Sequence, residues 1–246
     1  MVSCNRILNA GVKHSEKLST RFGIQYIKSK SAGTGVSGAN DPNVIGLGSF
    51  SSSLDQNLFS EWIDASGNQI NTLQRAADGT ALTNNPYWVQ NENANDRDDD
   101  RILGNFEVSF KPFDGFSLMG RVGIDLEDDK RLIENSKGTA QRINGNYDSD
   151  NILRQELTTD IISSYTRDIN SDLSFNVLAG FQYNERLFQR QRIQGTSLLI
   201  PELFSPANSE QTVAIRDFSQ QRLFGVYGSA ELIYQNWLTF TATARN

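Results

Sequence analysis

From Phe116 to Glu127 the chain reads F-S-L-M-G-R-V-G-I-D-L-E. Phe116, Leu118, Gly120, Val122, Ile124 and Leu126 take the even positions, while Ser117, Arg121, Asp125 and Glu127 fall among the odd ones. A strand turns alternate side chains to opposite faces, so one face here is apolar and the other carries full charges. About ten residues is also the length that crosses a bilayer as a tilted strand. The same design returns along the chain and gives eight strand candidates: 5–13, 18–28, 102–111, 116–127, 152–165, 173–187, 222–234 and 237–245.

The connections alternate in length. Residues 14–17, 112–115, 168–172 and 235–236 make short turns, and residues 29–101, 128–151 and 188–221 make long loops. Tight turns at one end and large loops at the other are what an up-and-down barrel gives when it spans an outer membrane. The pattern therefore predicts an all-β fold: an antiparallel up-and-down transmembrane β-barrel wall of about eight strands with long extracellular loops. A soluble sandwich also alternates, with its apolar face turned inward. Mid-strand charges on one face and the loop alternation favour the barrel. Phe106, Val108, Leu118, Val122, Ile124, Phe175, Val177, Phe181, Phe240 and Ala242 are expected to face lipid.

Composition trims the functional choices. The 246 residues are 37% hydrophobic with mean hydropathy −0.47, and no apolar run is long enough for a membrane helix. A net charge of −6 argues against nucleic acid as a partner. Cys4 has no second cysteine to pair with, and with His14 as the lone histidine a metal or catalytic site built on histidine is not expected. No cofactor, metal or enzymatic activity is anticipated. No basic region followed by an apolar stretch precedes Asn5, and the pattern stops inside or just after a strand at Asn246. Residues 1–246 are therefore expected to be part of a longer barrel domain.

Two segments go beyond periodicity. Residues 84–106 read N-N-P-Y-W-V-Q-N-E-N-A-N-D-R-D-D-D-R-I-L-G-N-F, and residues 221–246 read Q-R-L-F-G-V-Y-G-S-A-E-L-I-Y-Q-N-W-L-T-F-T-A-T-A-R-N. Both resemble the barrel of SusC-type TonB-dependent transporters of Bacteroidota, as does the hairpin from Leu8 to Lys30. The resemblance implies an import channel of about 22 strands with a plugged lumen. It also implies glycan, oligosaccharide or peptide cargo, TonB as an energy-coupling partner, a SusD-like surface lipoprotein as a lid, and contact with outer-membrane lipid. No plug, TonB box or signal peptide matches within the chain. An alternative is a small eight-stranded barrel that closes on itself, or a surface binding or adhesion module without transport.

Candidate site residues are few. Tyr87 and Trp88, in the longest loop, could stack on a sugar or touch the lid lipoprotein, or could pack that loop onto its neighbours. Asp96, Asp98, Asp99 and Asp100 could supply oxygens to calcium, but Arg97 and Arg101 oppose a cation, so a solvated loop end is expected. Glu107, Arg121, Asp125, Glu156, Asp160, Arg186 and Glu231 are expected to line the lumen, facing a plug or pairing across strands.

Overall fold

The computed structural model describes residues 2–33, 55–70, 84–235 and 237–246. Eight strands run in sequence order through one antiparallel sheet. They are β1 (Val2–Lys13), β2 (Leu18–Ser31), β3 (Asn93–Phe110), β4 (Phe116–Asn135), β5 (Asn146–Asn170), β6 (Leu173–Leu198), β7 (Ser209–Tyr234) and β8 (Leu238–Arg245). A short helix α1 (Pro86–Glu92) precedes β3. The up-and-down barrel-wall fold is thus the one the periodicity predicts. Asn236, in the last turn, and residues 34–54 and 71–83 of the longest loop lie outside the described residues.

Register fixes the two faces. Phe22 pairs with Phe106, Phe106 with Val122, Val122 with Thr159, Thr159 with Tyr183, and Tyr183 with Phe224. Directly paired residues point the same way, so this row and its neighbours two positions off form one apolar face. All ten residues expected on it are there. They do not meet in a dry core: Phe106 is 50% and Phe240 69% exposed. The apolar stretch runs Leu18–Tyr26 on β2, Ile102–Phe110 on β3, Phe116–Leu126 on β4 and Phe224–Tyr234 on β7. These are spans of about 9–11 residues, the reach of a tilted membrane strand.

Aromatic side chains gather where this belt meets the short turns. Phe113 stacks on Phe116 at 5.2 Å, Tyr165 meets Phe175 edge-on at 5.8 Å, and Tyr234 meets Trp237 at 6.5 Å. Gly115 makes its turn possible. Its φ is +80°, and a Cβ there would lie 2.2 Å from the carbonyl oxygen of Thr166.

Three expectations need correction. First, seven strands extend beyond their sequence signal, β1 and β2 by three residues each and five others by six or more: β3 starts at Asn93, β4 runs to Asn135, β5 starts at Asn146, β6 runs to Leu198 and β7 starts at Ser209. Beyond the belt the outer face needs no apolar side chains, so the alternation stops while the hydrogen-bonded ladder continues. The second and third long loops shrink to residues 136–145 and 199–208. Second, residues 96–101 are not a loop end. They lie within β3, paired with β2 on one side and β4 on the other. Third, the self-closing alternative is not the structure. Among the described residues β1 and β8 pair only with β2 and β7, and they form the two edges of an open sheet.

Candidate functional site

The face opposite the belt is built from ion pairs between neighbouring strands. In the lower half, toward the short turns, Arg21 pairs with Glu107, and Arg121 donates to Asp160 at 2.8 and 3.1 Å. Above them runs an uncharged row in direct register: Asn9, Gly23, Asn105, Gly123, Thr158 and Asn184. Grooves of about 450 and 540 Å³ open along this row and share Asn9 and Asn105. Four residues below Asn184 on β6, a side chain could enter only by displacing a tyrosine ring. The Tyr227 ring lies across Gly180, where a Cβ would sit 2.2 Å from the ring.

The upper half carries a denser network. Asp129 is fully buried and accepts from Arg97 at 2.7 and 3.1 Å and from Arg131 at 2.6 and 3.1 Å. Burial opposes its ionisation, but the bonds from Arg131 and Arg97 outweigh that and hold its carboxyl below the usual carboxylate range. Asp99, directly opposite, goes the other way: burial raises it first, and the Glu127 charge adds to that. Arg101 grips Asp125 through two bonds, Arg190 grips Asp150, and Arg192 pairs with Asp148. Of the seven lumen charges expected from sequence, Glu107, Arg121, Asp125, Glu156, Asp160 and Arg186 have cross-strand partners. Glu231 stands opposite Thr241 and Asn176 and has no ion-pair partner among the described residues.

On the apolar face, charge begins where the belt ends. The Tyr26 hydroxyl donates to Asp100, and Lys28 bridges Asp98 at 3.1 Å and Asp100 at 3.0 Å. On the next rim the Tyr183 hydroxyl donates to Glu185, which also takes bonds from Gln220 and Arg222. A phenol between an apolar belt and a charged rim suits a membrane–water boundary.

The second cluster is the cap above the upper strands. Asn85 caps α1 by accepting from the Tyr87 amide at 2.9 Å, and Pro86 opens the helix. Tyr87 and Trp88 follow one another on this helix and part ways. Trp88 is 1% exposed, donates its indole N–H to Thr139 Oγ1 at 2.9 Å and meets Trp62 edge-on at 6.2 Å. Tyr87 is 42% exposed. Asn84 accepts from the Ala140 amide at 2.6 Å, and Asn93 accepts from Thr139 Oγ1 and the Ser136 amide. The 136–145 loop is thereby pinned onto α1. Sequence reasoning missed Asn84, Asn93 and Thr139. The available signal was Asn85-Pro86, which marks a helix start.

No protein-family model matches the chain, and no curated protein sequence matches it. Solved structures do. The chain overlays a chain of the RagAB peptide importer in its "closed-closed" state with a TM-score of 0.77 at 11% identity. A structure of the RagAB peptide transporter gives 0.75 at 10%, and the importer's "open-open" state gives 0.73 at 11%. In each case 99% of this chain is covered and 27% of the other, so the chain spans about a quarter of the length of those it matches. The likeness is one of fold.

Proposed function

We propose that the chain forms part of the wall of an outer-membrane, TonB-dependent importer of the SusC type, which takes up glycan, oligosaccharide or peptide with a SusD-like lipoprotein as its lid. One observation carries this reading: a belt of membrane-spanning length on one face, ion pairs on the other, and two open edges. An open sheet in lipid leaves backbone donors and acceptors unsatisfied at each edge, so further strands must continue the wall. Residues 1–246 are then one portion of a receptor barrel domain whose plug, TonB box and export signal lie elsewhere in the protein. The short turns face the periplasm and the cap faces outward. Tyr87, presented by the Trp88-anchored helix, is the proposed contact for lid or cargo.

The test begins with the gene. Sequence encoding a plug upstream and further strands downstream is expected. Deletion should abolish growth on a specific glycan or peptide source, and the intact gene should restore growth only in cells with functional TonB. Restoration without TonB would refute the proposal.

A further inference from the structure

One groove on the charged face presents arginine nitrogens that no neighbour among the described residues uses. It measures about 330 Å³ and is lined by Arg101, Arg154, Glu156, Arg186 and Phe188, with Ser219 and Gln221 across from them on β7. Each of its acids has an arginine partner. Asp125 takes two bonds from Arg101 at 2.8 and 2.5 Å, and Glu127 forms an ion pair with Arg154 Nη1 at 3.2 Å. Glu156 Oε1 takes Asn184 Nδ2 at 2.7 Å and Arg186 Nε at 3.2 Å. The donors are not exhausted. Arg186 uses only Nε, and its two terminal nitrogens have no partner among the described residues. Arg154 retains a second terminal nitrogen. The side chains of Arg186 and Arg154 are 59% and 41% exposed. Beside them the amide of Gln221 and the hydroxyl of Ser219 add groups that can donate or accept.

We propose that this groove is a carboxylate subsite on the import path. The inference rests on reading the charged face as the lumen wall. A planar acceptor with two oxygens matches the fork that Arg186 holds open. A doubly charged phosphate is disfavoured by Asp125, Glu127 and Glu156 in the same lining, because like charges raise its cost more than that of a single carboxylate. A neutral sugar lacks a stacking platform, since the Arg154 guanidinium lies over the Phe188 ring at 5.9 Å. The carboxylate belongs to the cargo, either as an acidic residue of a peptide or as a uronic acid of a glycan.

The test is calorimetry on the intact protein in detergent with four probes: an end-blocked tetrapeptide with one glutamate, its glutamine counterpart, trigalacturonate and its methyl ester. At least one acid is expected to bind about tenfold more tightly than its neutral counterpart, the effect of one charge-assisted bond pair. A preference in the peptide pair names peptide cargo, and a preference in the sugar pair names acidic glycan. Arg186→Gln should erase the preference, and Arg186→Lys should retain only part of it, because a point charge lacks the fork. Equal binding within both pairs, no binding by any probe, or an undiminished preference in Arg186→Gln would overturn the subsite. Should Arg186→Gln fail to assemble, the probe pairs on the unaltered protein and Arg186→Lys still decide. Uptake of neutral cargo separates the two readings. If it persists without acid preference, the subsite fails and the importer stands; if neither neutral nor acidic cargo is taken up, the importer fails.

Discussion

The two halves of β4 are the same strand under different rules. From Phe116 to Leu126 one face is apolar and exposed, while the other holds Arg121 against Asp160 and Asp125 against Arg101. From Glu127 to Asn135 both faces carry charge: Asp128 pairs with Lys130 on one, and Asp129 with Arg97 and Arg131 on the other. Backbone pairing is continuous through both halves. On the function proposed above, what changes is the solvent outside. A hydrocarbon surrounding demands an apolar outer face, whereas water accepts lysine and aspartate there. On that reading the lower half is held by its medium, its ladder and ion pairs on one face, and the upper half by ion pairs on both faces and the cap.

The largest effect expected is local to the cap. Trp88→Ala removes a buried ring and its bond to Thr139, at a cost of about 3–5 kcal/mol. Hydrogen exchange should accelerate in residues 84–93 and 136–145 and stay unchanged in the belt, and acceleration throughout would deny that the halves are separable. Next comes Val122→Arg, at about 2–4 kcal/mol if the site lies near the bilayer midplane. Leu132→Arg, on the same face of β4 and opposite Asp96, should change stability by under about 0.5 kcal/mol, because its stem still covers the wall in water. Equal costs at both positions would erase the boundary.

This contrast also explains what the sequence made legible. Alternation reported Phe116 to Leu126 because one face had to be apolar, and it fell silent from Glu127 onward, where Asp128 and Asp129 point to opposite faces yet look alike in sequence. The run 96–101 misled for the same reason: Asp98 and Asp100 serve Lys28 on one face, while Arg97 and Arg101 serve β4 on the other. Strand order followed from the tight turns. Asn84, Asn93 and Thr139 carried no periodic signal, because their bonds join segments far apart in the chain. Tyr87 and Trp88 were legible as a pair of aromatics, but their opposite exposures depend on how α1 sits.

Asp129→Asn tests the upper half alone. Losing the charge that holds Arg97 and Arg131 should cost about 1.5–3 kcal/mol. Because the folded Asp129 carboxyl lies below its ordinary value, its contribution is fully present above about pH 4 and is lost as pH falls through the depressed value. Acid should therefore loosen residues 93–101 and 127–135 before the belt, and Asp129→Asn should flatten that dependence. The smallest stability effect is expected of Tyr87→Ala, within about 0.5 kcal/mol. A loss of lid or cargo affinity in that variant would mark Tyr87 as a contact, and unchanged affinity would remove it.

The boundary itself can be located with spin labels placed one at a time at Leu118, Val122, Leu126, Lys130 and Glu134 of β4, in the intact protein in lipid, with Cys4→Ser as background. These positions share one face of the strand. The account predicts high oxygen and low aqueous-nickel collision rates at 118 and 122, a crossover near 126, and aqueous rates at 130 and 134. Uniform aqueous access at all five positions would contradict a membrane-spanning wall, and uniform lipid exposure would contradict the division of its strands.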